Sequence, residues 1–128
     1  MLHQGSFTDI KVLSFENIVR NRMPMAYERL IRKTTSENLW LYILSSLKEK
    51  PRYGYELREE IRRRFGFEPG EVSAYVVIYA LRRDGHITVR RESPGKTGSP
   101  RKYYSLTASG EALLKKAQAY LHELSDKL

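Results

Sequence analysis

Apolar residues recur at helical spacing along most of the chain, and the period switches once to that of a strand. Leu39, Trp40, Ile43, Leu44 and Leu47 share one face of a helix that must end before Pro51. Ahead of it, Thr34 and Glu37 stand at capping-box spacing, and Ser36 is an equally good N-cap. A second helix is predicted from Gly54, because Leu57, Ile61 and Phe65 repeat every four residues. Its other face carries Arg58, Arg62 and Arg63, and Gly66 with the turn Glu68-Pro69-Gly70 stops it. A third helix over Glu71 to Asp84 turns Ala74, Ile78 and Leu81 inward. That leaves Ser73, Tyr75, Val77 and Arg82 nearer the outside. Gly85 suits the left-handed C′ position, which costs a glycine little.

After Gly85 the period falls to two: Ile87 and Val89 alternate with Thr88 and Arg90. The run Ser93 to Pro100 is made of turn formers, and Arg101 to Leu106 reads as a second strand. Thr107 is a natural cap for a last helix, along which Leu114, Ala117, Leu121, Leu124 and Leu128 follow a 3,4,3,4 spacing. The order helix, helix, helix, hairpin, helix predicts a mainly α fold with a β-hairpin wing, a winged helix-turn-helix. Residues 35–107 form that domain, residues 108–128 a C-terminal dimerisation helix, and residues 1–34 a partly helical N-terminal extension. Within the extension Phe15, Ile18, Val19 and Met23 have helical spacing, and Pro24 suits the first turn of a new helix over Met25 to Arg32.

Composition narrows the function classes. With no cysteine, thiolate metal sites, cysteine nucleophiles and disulfide scaffolds are excluded. No apolar run approaches the roughly 18 residues needed to span a bilayer, and no secretory signal is apparent, so a cytoplasmic location without a membrane partner is expected. The 23 Lys and Arg against 15 Asp and Glu leave a net charge of +8, which points first to nucleic acid. Catalysis finds no support: His3, His86 and His122 share no metal spacing, and neither Gly95 nor Gly98 sits in a nucleotide-loop frame. No enzyme, no metal and no cofactor is expected.

The charge has a local address. Arg90, Arg91, Lys96, Arg101 and Lys102 lie on or beside the hairpin, with Glu92 the single acid between Thr88 and Ser105. Long cations on a protruding loop suit phosphate neutralisation. The third helix is the candidate for the major groove, with Ser73, Tyr75, Val77 and Arg82 facing the bases and Val77 suited to a thymine methyl. Tyr75 and Tyr79 either serve there or pack into the core with the hydroxyl at the surface. Tyr53-Gly54-Tyr55 opens the second helix beside Arg52, an anion site or, for one of the two tyrosines, a lid on the core. The last helix either packs back on the domain or pairs with its copy in a second subunit.

Four blocks in this order and spacing resemble the PadR-like transcriptional regulators, over Thr35 to about Leu114. They are Ile43-Leu44-Ser45-Ser46-Leu47, Tyr53-Gly54-Tyr55-Glu56-Leu57, Leu81-Arg82-Arg83-Asp84-Gly85-His86-Ile87 and Arg101-Lys102-Tyr103-Tyr104-Ser105-Leu106-Thr107-Ala108-Ser109-Gly110. The resemblance implies a homodimer joined through C-terminal helices that binds a palindromic operator in double-stranded DNA, usually as a repressor. It assigns DNA contacts to Ser73 and Tyr75 and to Lys96, Arg101 and Lys102, and it matches Tyr53 and Tyr55 to the start of the second helix. Where family members often have Gly-Thr-Leu-Tyr-Pro, this chain has Val72-Ser73-Ala74-Tyr75-Val76, keeping the hydroxyl and the tyrosine. No feature requires a small-molecule effector; one would sit at the dimer interface, with Trp40 either lining it or packed in the core. The alternatives from other classes are a winged-helix protein-interaction module and a non-specific nucleic-acid coat.

Overall fold

A computed structural model describes residues 25–92 and 100–128, so the expectations for residues 1–24 and for the wing tip with Lys96 lie outside the described residues. The chain divides at Glu37–Asn38. Ahead of the division, residues 25–34 form helix α1, on which Met25, Tyr27, Leu30 and Ile31 are exposed. The predicted capping box does not form. The Thr34 hydroxyl bonds back to the Leu30 carbonyl at 2.7 Å, and Thr35 does the same to Ile31, so both close α1. Glu37 pairs with Lys33 at 2.7 Å, and the N-cap of the next helix is Asn38, whose side chain makes no capping bond.

Beyond the division the elements run α2 (Leu39–Ser46), β1 (Arg52–Tyr53), α3 (Gly54–Phe65), α4 (Glu71–Arg83), β2 (Ile87–Glu92), β3 (Arg101–Leu106) and α5 (Ala108–Lys127). The strands form an antiparallel sheet in the order β1-β3-β2. The wing is therefore three-stranded at its base, where a two-stranded hairpin was predicted. Two residues after Pro51 are too few to show a period, and β1 exists only because β3 offers an edge to Arg52 and Tyr53.

The inward stripes expected from spacing meet in one core. Ile43 and Leu44 of α2, Leu57 and Ile61 of α3, Ala74, Ile78 and Leu81 of α4, Ile87 and Tyr104 of the sheet and Leu114 of α5 are all buried. Trp40 packs against this core half-buried, its indole N–H donating to Asn38 at 3.2 Å. Phe65 lies at the margin, where Tyr42 takes it edge-on with ring centroids 4.8 Å apart. Val77, expected outside, is half-buried against the core.

A buried cation pins the short strand. Arg52 donates through Nε to the Ser46 carbonyl at 2.7 Å, tying β1 to the end of α2. Its guanidinium lies 3.7 Å from the Glu60 carboxylate of α3, which also accepts from Arg63 at 2.8 Å. A buried charge is tolerable only when paired and hydrogen-bonded in this way. Burial works against ionised Glu60. The Arg63 hydrogen bond and the Arg52, Arg63 and Arg64 charges outweigh it and hold the carboxyl below the ordinary glutamate range.

The two ends of the wing are tied by α5. Helix α4 ends with Gly85 at φ 83°, the His86 N–H reaching the Leu81 carbonyl at 2.9 Å and the Gly85 N–H reaching Arg82 at 3.0 Å. Thr107 caps α5, accepting from the Gly110 N–H at 3.0 Å and donating to the Gly85 carbonyl at 2.7 Å. Gly110 lies so close to this junction that a Cβ there would collide with the His86 carbonyl oxygen and with Leu106.

Gly110→Ala should therefore destabilise the fold by about 2 kcal/mol, although alanine is the better helix former by about 1 kcal/mol. A chemical-denaturation midpoint at or above that of the unchanged protein would show that the contact yields. Glu60 sets an acid dependence. A carboxyl whose folded pKa is lowered stabilises fully above its unfolded value, roughly 4.3, and loses that contribution as pH falls through the folded value. Between pH 6 and pH 3, Glu60→Gln should lose less stability than the unchanged chain.

Candidate nucleic-acid interface

The sheet's register sorts the predicted site residues onto two faces. Arg90 pairs with Tyr103, and Tyr103 with Tyr53, so these three form one cross-strand row. Arg101, two residues from Tyr103, shares that face, and its guanidinium lies over the Tyr53 ring at 4.4 Å. Tyr53 meets Tyr103 edge-on at 5.6 Å and stacks on Tyr55 at 6.5 Å. Val89, Tyr104 and Arg52 form the adjacent row on the opposite face, toward the core. Arg91 and Lys102, paired across the hairpin, extend it outward. Arg101 and Lys102 look like one basic pair in sequence, but alternation puts them on opposite sides of the wing.

The α4 side of this site is built around Tyr75. Its phenol lies against Gly54, where any Cβ would collide with it, so the glycine that opens α3 is also the floor under a side chain of α4. Burial holds the Tyr104 phenol above the ordinary tyrosine range; neighbouring Tyr75 adds to this and Arg82 opposes it. Tyr75 of α4 is thereby brought against the start of α3. Ser73 and Arg82 are exposed, and Tyr55 stands out from the start of α3. The core alternative fails for Tyr79, which is 68% exposed.

Three features escaped the sequence reading. Val72 and Val76 are exposed along the same side of α4 as Tyr79, and the signal was available: all three lie off the Ala74–Ile78–Leu81 stripe. On the outer face of α3, Arg62 and Arg63 are neutralised by acids of the same helix, while Arg58 has no acidic ion-pair partner among the described residues. Arg62 pairs with Glu59, Arg63 with Glu60 at 2.8 Å, and Arg62 also lies 3.9 Å from Glu68. Finally, the leucine stripe of α5 is divided. Leu114, expected at a dimer interface, is buried in this chain's own core, and Ala117 is half-buried. Leu121, Leu124 and Leu128 are exposed together with Tyr120.

Among the described residues no group of three or more His, Asp and Glu is placed to hold a metal ion, and no helix is long and apolar enough to cross a membrane. The cations left without an acidic ion-pair partner among the described residues include Arg82, Arg91, Arg101 and Lys102, which lie at the end of α4 and on the wing.

Comparison with known proteins agrees with this geometry. Solved structures with the same fold include a PadR family transcriptional regulator from Eggerthella lenta (29% identity, TM-score 0.64, 80% of this chain and 92% of that one). A Streptococcus transcriptional regulator matches at 31% identity and TM-score 0.60, over 70% of this chain and 86% of that one. Bacillus subtilis PadR in complex with operator DNA matches at 27% identity and TM-score 0.58, over 62% of this chain and 46% of that one. No match to a curated protein was found. Residues 43–116, more than half the chain, match the family described as "Transcriptional regulator PadR-like family", and the protein belongs to it.

Proposed function

We propose that the protein binds a palindromic operator in double-stranded DNA as a homodimer and represses transcription. The observation that carries this reading is the exposed outer face of α4, set between the start of α3 and the cations of the wing. In the proposed mode α4 enters the major groove, with Ser73 and Tyr75 toward base edges and Arg82 at the groove's margin. Arg101, braced on Tyr53, would neutralise phosphates from one face of the wing and Lys102 from the other; Arg90, on the face of Arg101, pairs with Glu92 at 2.6 Å and would exchange that partner for a phosphate. Tyr53 and Tyr55 add hydroxyls at the start of α3, where the Glu56 carboxylate already accepts the Tyr53 N–H at 3.3 Å. Lys96 would extend the same basic wing at its tip. Val77, half-buried, is assigned support of the reading helix and no base contact. The Bacillus subtilis neighbour, seen with operator DNA, supports the DNA reading.

Residues 35–107 would then be the DNA-binding unit, residues 1–34 an extension, and residues 108–128 the dimerisation helix of a cytoplasmic regulator. The exposed Tyr120, Leu121, Leu124 and Leu128 of α5 support the last assignment, because an apolar stripe of this kind is stabilised by covering it with its copy. Two-fold symmetry then sets the half-sites one helical turn, or a multiple of it, apart.

Selection of bound fragments from random duplex DNA should return a shared palindrome. Enrichment of nothing would indicate a non-specific coat, and no binding at low salt would leave a protein partner. Against the selected duplex, replacing Arg101 and Lys102 with Ala should weaken binding and lower the slope of log affinity against log salt by about 2, one phosphate contact each. An unchanged slope would remove the wing from the interface. Replacing Leu121 and Leu124 with Asp should give a folded monomer in sedimentation and cost roughly tenfold or more in affinity for the full palindrome. A dimer that persists would place the contact elsewhere.

A further inference from the structure

The outward side of α4 is chemically unusual for a helix that meets base edges. Its first ten residues, Glu71 to Ala80, contain no Arg, Lys, Asn or Gln, the side chains that read guanine or adenine through paired hydrogen bonds. What they expose instead is aliphatic and aromatic carbon. Val72 is 77% exposed, Val76 63% and Tyr79 68%, at i, i+4 and i+7, so they form one stripe. Tyr75 lines the same shallow surface with Glu71. The side chains that α4 itself offers for hydrogen bonding beside the stripe are the Ser73, Tyr75 and Tyr79 hydroxyls and the Glu71 carboxylate, and the cations Arg82 and Arg83 wait until the last turn.

An exposed apolar stripe on a structural helix would be a liability, and α4 has a separate, complete inward stripe for the core. The surroundings decide what covers it. The wing cations and Arg82 make the neighbourhood positive, which suits a polyanion, and the one apolar group that DNA presents in its major groove is the thymine C5-methyl. Extending the DNA reading above, we propose that α4 recognises its site chiefly through thymine methyl groups, with Val72 and Val76 as the contacting side chains. Both lie in the first turns of the helix, the part that meets base edges when such a helix docks. Specificity then follows the positions of methyl groups, and a 5-methylcytosine placed where a contacted thymine stood restores part of the binding.

The test uses the full chain and one duplex recovered from random-sequence selection, synthesised with thymine or with deoxyuridine at single positions. Deoxyuridine removes the methyl and leaves every base-pair hydrogen bond in place. Each contacted methyl should cost about three- to fivefold in affinity, the value of one buried methyl group. The sensitive positions should be mirrored in the two half-sites. Val72→Ala and Val76→Ala, at exposed positions that leave the core intact, should each bind the thymine and deoxyuridine duplexes equally at one of those positions. Equal affinity of the unchanged protein for both duplexes overturns the methyl assignment while the DNA reading stands. Sensitivity to deoxyuridine that survives in both valine variants overturns the role of these side chains. Failure to bind any duplex at low salt overturns the DNA reading, and this inference with it.

Discussion

Thr107 is the point on which the spacing of the working parts depends. Its hydroxyl donates to the last carbonyl of the α4 turn, at Gly85, and accepts from the Gly110 N–H that opens α5. Its own N–H reaches the His86 carbonyl at 3.2 Å. The chain leaves α4 here, travels out along one strand of the wing and back along the other, and must return to within hydrogen-bonding distance of its starting point before α5 begins. Ser109 adds a second tie, its hydroxyl 2.9 Å from the His86 ring. Each such bond is worth only about 1 kcal/mol net, too little to account for folding. Their value is geometric. Gly110 permits the close approach, and together these residues set the angle at which α5 departs from the wing. In a two-fold assembly joined through α5, that angle sets the separation of the two α4 helices.

What could be read from the sequence and what could not divides along a physical line. Elements stabilised by their own periodic face were legible: the inward residues of α4 from 74 to 81, its Gly85 terminus and the Arg101–Leu106 strand stand where spacing put them. Elements that exist only through a partner were not. Strand β1 has two residues and no period, and its reason for being extended is the edge of β3 together with the Arg52 guanidinium held between Ser46 and Glu60. The capping-box spacing at Thr34 was misleading because a threonine hydroxyl has two competitors, the next helix's N–H groups and the carbonyls four residues back. The second prevailed.

The candidate site was legible in kind but not in arrangement. Sequence alone located the cations; only the register revealed that Arg101 and Lys102 face opposite ways, and that Tyr53 serves as a platform for the first of them. The same limit applies to charge. Arg62 and Arg63 count fully in the net charge of the sequence, but folding of α3 places acids one turn away from both. Net charge is additive along a chain, but the field a polyanion meets is not, because neighbouring carboxylates cancel it locally. The surplus that remains on the described residues of the wing and at the end of α4 is smaller than the sequence total, and it is better placed.

Tyr75 shows why the reading helix and the wing should behave as one unit. Its phenol lies on Gly54, the residue that follows β1, and β1 pairs with β3 of the wing. A group at this crossing cannot shift without disturbing the start of α3, the short strand that leads into it and the face of α4 together. A helix that offers mostly apolar carbon to the groove gains little from any single contact. Such contacts are short-ranged and count only when the helix is held at the right depth. In the proposed mode the aromatic crossing would supply that hold, and the cations around it would supply affinity with no sequence preference of their own. Discrimination in such an arrangement comes from fit, and fit is what the rigid crossing protects.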